Sequence, residues 1–255
     1  MNKKAIQESL LTLILGIVIF ILILGLSTTI NAAIHKSRIR EYCRLSIVTV
    51  EVSKEATFGA IKPSLDCPMQ TIEIKKENLP KKNPEDYVKR IFAQAMYDAW
   101  YVAGRGEHRK FQSKLFGGDV SCLIYARINF DDKIKEENLD LGGMTQWMTV
   151  NNPLESTTSY FSYLTYNDKR AFHIIDASDP NNIKDSETID PSKNYYVVYW
   201  ALMKSTKTIG ILSPLIGALA QLNDLVGLIG EGRIPQIFVV PEEQFESIKC
   251  NSLLN

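Results

Sequence analysis

Leu10-Leu11-Thr12-Leu13-Ile14-Leu15-Gly16-Ile17-Val18-Ile19-Phe20-Ile21-Leu22-Ile23-Leu24-Gly25-Leu26 decides how the rest of the chain is read. No charged residue occurs from Ser9 to Ile34. That is about 26 residues, where roughly 20 suffice to cross a bilayer core. Inside lipid the backbone must satisfy its own hydrogen bonds, so the run reads as a helix. At ~1.5 Å per residue it reaches ~39 Å, enough to span with tilt. Two other readings compete. A cleaved signal peptide has a shorter apolar core, and Asn31-Ala32-Ala33 is only a weak cleavage site. A buried helix of a soluble core would carry a polar face, which this run lacks. The expectation is a retained transmembrane helix over 9–34, preceded by a tail over 1–8.

Both flanks of the run are basic. Lys3 and Lys4 lie before it; Lys36, Arg38, Arg40 and Arg44 lie after it. A count of basic residues favours the second flank as cytoplasmic, yet large domains translocate largely regardless of charge. Residues 35–42 form a basic collar, whose cations either meet lipid phosphates or solvate a helix end. Cysteines argue for the opposite topology. Cys43, Cys67, Cys122 and Cys250 all follow the run, and an even count there suits an oxidising compartment. Four unrelated buried thiols are the competing reading. The favoured reading places the domain over 43–255 outside the cytoplasm, on a single-pass protein of the cell membrane. Cys43 and Cys67 bracket the strand read over Leu45 to Val52 and its loop, and rank first among the possible pairings. Cys250 then bridges Cys122 and ties down an end that would otherwise fray.

Composition excludes one class of partner. The chain has 29 basic and 29 acidic residues, so no net charge recruits nucleic acid. The expected partners are the lipid bilayer and either a protein or a second copy of the chain.

Coarse patterning places the elements. Leu45 to Val52 is rich in β-branched residues and reads as a strand, as does Thr71 to Ile74. Asn83-Pro84-Glu85-Asp86 starts a helix: Asn caps, Pro suits the first turn, and acids favour the positive end of the dipole. Val88, Ile91, Phe92, Ala95, Ala99 and Val102 continue it at helical spacing, and Gly104 stops it. Gly104-Arg105-Gly106-Glu107-His108 lacks the strand and the Lys-Ser/Thr of a phosphate loop, so it reads as that stop. Ser121 to Phe130 is a long strand. Thr145 to Val150, Ser159 to Tyr166 and Arg170 to Ile175 read as strands, the last two as a hairpin. Asn194 to Met203 is apolar throughout, a central strand covered on both faces. Ser213-Pro214 opens a second amphipathic helix ending near Gly230, and Gln236 to Pro241 is the last strand.

Three stretches carry a resemblance. Glu41-Tyr42-Cys43-Arg44-Leu45-Ser46-Ile47-Val48, Ala95 through Glu107, and Cys122 through Phe130 together resemble a group of archaeal single-pass membrane proteins of largely uncharacterised function. Those relatives tend to carry Cys where this chain has Ala99 and Tyr125, which implies that these two positions pack near each other. Lys3-Lys4-Ala5-Ile6-Gln7-Glu8 before a long apolar run is similar to the class III signal of pilin-like proteins. Such proteins usually have Gly where Ala5 stands.

Catalytic constellations are missing. There is no G-x-S-x-G, H-E-x-x-H, C-x-x-C or Walker motif. His35, His108 and His173 stand apart, and His173 in a strand reads as structural. Asp131-Asp132 reads as turn chemistry. Asp176, Asp179 and Asp185 belong to the densest set of oxygen ligands, and are weak calcium candidates because the EF-hand spacing is absent. No cofactor is expected. The fold expectation is α+β: a transmembrane helix, then one domain with an antiparallel or mixed sheet and two main covering helices. The favoured function is a membrane-anchored, extracytoplasmic, non-catalytic module for assembly or partner binding. A membrane-anchored hydrolase-like enzyme and a pilin-like filament subunit are the alternatives.

Overall fold

The computed structural model describes residues 15, 17, 18, 21, 38–49, 65–106, 120–137, 139–166, 169–178, 184–203, 233–248, 250 and 252–254. The chain divides into two units, Met1–Glu41 and Tyr42–Asn255. In the first, Leu15, Ile17, Val18 and Ile21 are helical, and each is about half or more exposed. The membrane-spanning helix expected over 9–34 is corrected here: no helix of the described residues is long and apolar enough to cross a membrane. A span needs roughly 20 consecutive apolar residues, and most of this run lies outside the described residues.

The second unit is α+β, as its alternating periodicities suggest. A helix, α1, covers 42–49 of this unit. It is followed by β1 (Gln70–Ile74), α2 (Pro84–Val102), β2 (Val120–Phe130) and three short helices. These are α3 (Asp132–Lys135), α4 (Met144–Val150) and α5 (Tyr160–Tyr163). A two-residue hairpin, β3 (Thr165–Tyr166) and β4 (Lys169–Arg170), precedes β5 (Phe172–Ile174). Then come β6 (Tyr195–Met203), β7 (Arg233–Pro241), a 3-10 segment (Glu242–Ile248) and β8 (Ser252–Leu254).

The main sheet runs β1-β2-β6-β7-β5 and is mixed. β6 is antiparallel to both β2 and β7, while β1 runs parallel to β2 and β5 parallel to β7. The chain's end returns to this sheet, because β8 pairs in parallel with Ser121–Leu123 of β2. β1 uses the other half of the same strand, Ala126–Phe130.

β6 is central, and its unbroken apolar pattern follows from burial on both faces. Tyr195, Val197, Tyr199 and Ala201 share one face; Val198 and Trp200 share the other, and all six are buried. α2 lies on the first face. Phe92 meets Phe130 at 6.0 Å and the edge of Tyr195 at 5.5 Å, and Trp100 meets Tyr199 at 6.1 Å. On the second face Trp200 meets Phe238 edge-on at 5.7 Å and donates Nε1–H to the Ile248 carbonyl at 3.3 Å. Ala99, on α2, and Tyr125, on β2, are both buried in the core.

Local chemistry explains most boundaries. α2 begins on Pro84 with Glu85 and Asp86 in its first turn. Asn83 does not cap it: its backbone is left-handed (φ 55°) and its side chain makes no cap bond. The Ala103 amide closes the last turn on the Ala99 carbonyl, and Gly104 leaves it at φ 73°.

Three strands expected from sequence are helices. Residues 45–49 continue α1, which buries Cys43 and Ile47 one turn apart. Met144 and Met148 make α4 a helix by the same spacing. Ser159 caps α5, its Oγ accepting from the Ser162 amide at 3.2 Å. The amphipathic helix expected from Ser213 to Gly230 lies outside the described residues.

Candidate functional site

α2 presents one polar-aromatic stripe away from the sheet. Arg90, Gln94, Tyr97 and Tyr101 recur at intervals of three or four and so share a face. α4 and α5 pack along it. Tyr97 meets Tyr163 at 4.2 Å and the edge of Tyr160 at 6.3 Å, and Tyr160 stacks on Trp147 at 6.0 Å. The rings are pinned by hydrogen bonds. Tyr160 Oη donates to Gln94 Oε1 at 2.9 Å, and Gln94 Nε2 donates to Asp98 Oδ1 at 3.0 Å. Trp147 Nε1 donates to Asp86 Oδ1 at 2.9 Å.

Three arginines lie on these rings. Arg90 Cζ sits 5.7 Å from the Trp147 centroid. Arg44, from α1, sits 4.4 Å from the Tyr101 centroid and donates Nη1–H to its hydroxyl. Arg105 Cζ lies 4.8 Å from Tyr163 and 5.8 Å from Tyr101. These are cation–π distances, worth about 0.5–1 kcal/mol each at exposed sites. Arg105 is exposed and left-handed (φ 56°, ψ 29°), a conformation that costs a non-glycine residue roughly 1–2 kcal/mol. Such strain persists where surrounding contacts fix it, and here two rings hold the guanidinium. Burial pushes the Tyr160 phenol up to about 12. Burial raises Tyr163 as well, against the pull of Arg105. Both rings stay neutral at physiological pH.

Of the residues singled out from sequence, Asp185 and His173 come together at the opposite end of the sheet. Asp185 Oδ2 meets Arg170 Nη2 and lies 3.3 Å from His173 Nδ1, while its Oδ1 accepts from the Ile174 amide at 3.2 Å. Arg170 also pairs with Glu187 at 3.3 Å, and Glu187 accepts from the Thr145 amide and hydroxyl at 2.8 and 2.7 Å. Asp185 thus joins β5 to the segment that follows it. Asp176 accepts from the Ser178 amide at 2.9 Å, a bond that holds its carboxyl below the usual range. Asp179 lies outside the described residues. Among the described residues no group of three or more His, Cys, Asp or Glu is placed to hold a metal ion. Asp131 caps α3 through the Lys133 amide at 3.3 Å, and Asp132 meets Lys135 at 2.9 Å.

The cysteines are all bridged. Cys43 joins Cys67 with Cα atoms 4.5 Å apart, and Cys122 joins Cys250 at 5.6 Å. Two closed bridges with no free thiol suit an oxidising, extracytoplasmic compartment. Of the flanking cations, Arg38 is exposed and Arg40 Nη2 lies 3.7 Å from Glu41. Lys3, Lys4, Lys36, His35 and His108 lie outside the described residues.

Sequence reasoning missed the stripe. Its signal was present in the spacing of Arg90, Tyr97 and Tyr101, but that spacing alone does not distinguish a solvated face from one covered by neighbouring rings. Compared with known proteins, the chain matches no family model, no curated protein and no solved structure.

Proposed function

We propose that this chain is a non-catalytic module that works outside the cytoplasm, at the cell surface, by binding or assembling with a protein partner. The stripe of Arg44, Arg90, Tyr101, Arg105, Trp147 and Tyr163 is its docking face. One observation carries the reading: tryptophan, tyrosine and arginine, the types that dominate binding hot spots, are gathered and pinned where α1, α2, α4 and α5 meet. Pinning lowers the ordering cost that association would otherwise incur. Tyr87 on α2 and Val150 and Leu154 beside α4 add exposed apolar surface, with Leu154 88% exposed. The competing reading, an enzyme, has less support. His173 and Asp185 have the geometry of a base and the group that orients it, but the His173 side chain is fully buried.

The test is site-specific photo-crosslinking in the native cell. A photoreactive residue at Tyr87, Arg105 or Leu154 gives a defined adduct under this proposal. The same residue at Thr71 or Asp132, exposed and distant in the fold, gives none. Equal or absent crosslinking at all five positions would reject it.

A further inference from the structure

We infer that the partner lays an acidic, extended segment along this face, with carboxylates that meet Arg44 and Arg105 at one end and Arg90 at the other. This rests on the partner-binding reading above and adds the chemistry of the bound segment.

Arginines in this fold divide into two kinds. Arg127 gives Nη2 to both oxygens of Glu242, at 2.7 and 2.9 Å, and Arg170 meets Asp185 and Glu187. Those charges are answered within the unit. Arg127 and Arg170 also lie over rings, Tyr196 at 6.0 Å and Phe172 at 5.3 Å. Arg44, Arg90 and Arg105 rest on rings as well, but among the described residues none of the three makes an ion pair. The chain as a whole carries equal numbers of basic and acidic residues, so this is an uneven placement of charge and not an excess. Asp86, which borders the stripe, already accepts from Trp147.

A guanidinium lying on a ring uses its face there and leaves N–H edges for a planar acceptor, which a carboxylate matches in a bidentate manner. Two such groups, Arg44 and Arg105, share the Tyr101 ring. Two like charges gathered around one ring, neither of them in an ion pair among the described residues, favour an incoming anion. Arg90 and Arg105 are fifteen residues apart. α2 carries the chain from Arg90 to Val102, which at ~1.5 Å per helical residue is ~18 Å, the reach of about five or six extended residues at ~3.3 Å each. Side chains on one face of such a segment fall at every second residue, and the half-buried rings of Tyr101, Trp147 and Tyr163 beside the arginines accept its apolar atoms.

The experiment uses the full chain with both disulfides closed, and a fluorescent hexaglutamate peptide as probe, with hexaglutamine as control. Fluorescence anisotropy at about 50 mM salt should show binding of the glutamate peptide and none of the glutamine peptide. Arg44→Gln/Arg105→Gln should weaken that binding roughly tenfold or more, since each exposed pair removed accounts for a few-fold. Glutamine at 44 keeps a donor near the Tyr101 hydroxyl, so the variant is checked for unchanged unfolding midpoint. Raising salt to about 500 mM should weaken binding of the unmodified chain as well. Equal binding of the two peptides, or glutamate binding unchanged in the double variant, would overturn the inference. So would Arg105-dependent self-association in sedimentation, which would make a second copy the occupant. The partner-binding reading fails separately, if crosslinks at Tyr87, Arg105 and Leu154 are absent in cells.

Discussion

The bridge between Cys122 and Cys250 gives the sharpest stability prediction. Cys122 is fully buried in β2, directly across from Trp200. Cys250 follows the 3-10 segment that covers the second face of the sheet and precedes β8, which returns to β2. The bridge closes a loop of 128 residues, against 24 for Cys43–Cys67. In the chain-entropy account a loop near 128 residues contributes roughly 5 kcal/mol, and one near 24 residues roughly 3 kcal/mol. Total stability of a domain is only about 5–15 kcal/mol. Cys122→Ala/Cys250→Ala should therefore leave the fold marginal, while Cys43→Ala/Cys67→Ala should weaken it without abolishing it. Urea unfolding without reductant, followed by tryptophan fluorescence, measures both, because Trp200 sits across from Cys122 and Trp100, on α2, packs on Tyr199 of the sheet. With a urea slope of about 2–3 kcal/mol per molar, the first variant should lose roughly 2 M in midpoint. A loss below about 1 kcal/mol, or a larger loss for the Cys43–Cys67 variant, would refute the reasoning.

Three further outcomes are expected. Gln236 is fully buried on the second face of the sheet and both polar atoms of its amide lack a partner among the described residues, so Gln236→Leu should hold or raise the melting temperature; a fall of several degrees would show that the amide is satisfied in solution. Phe92, packed between Phe130 and Tyr195, should cost about 3–5 kcal/mol as Phe92→Ala, and a loss under 1 kcal/mol would mean that α2 does not seal this face. Arg127 holds the Glu242 carboxyl below its usual range; a depressed carboxylate stabilises above its unfolded pKa and loses that contribution as pH falls through its folded value. The unmodified chain should thus exceed Glu242→Gln in urea midpoint at pH 7, with the gap closing below about pH 4. A gap that is constant with pH would contradict the pairing.

Much of the fold was legible where one period dominated the sequence. α2 announces itself through Pro84, the acids after it and a long helical stripe, and β6 through nine residues with no polar face to place in water. Cys43–Cys67, the pairing ranked first, and Cys122–Cys250 are the bridges formed, while four cysteines by themselves leave three connectivities open. Short segments misled, because four to eight residues fit periods of 2 and 3.6 about equally well. Val48 and Val50 alternate like a strand, yet Cys43 and Ile47, one turn apart, are the pair that is buried. Met144 and Met148 told the same story over the β-branched residues between and after them. The first apolar run illustrates a different limit. Its length and lack of charge point to a span, but no described helix meets that standard. The docking face was hidden for another reason. It is assembled from α1, α2, α4 and α5, and only tertiary packing brings Arg44 to Tyr101 or Tyr163 to Arg105.

A membrane-impermeant thiol reagent applied to intact cells, with and without an impermeant reductant, tests most directly whether the folded unit works outside the cytoplasm behind closed bridges. The account predicts no labelling of Cys43, Cys67, Cys122 or Cys250 until the reductant is added, and labelling from outside once it is. Labelling that appears only after lysis, with no need of reductant, would contradict it.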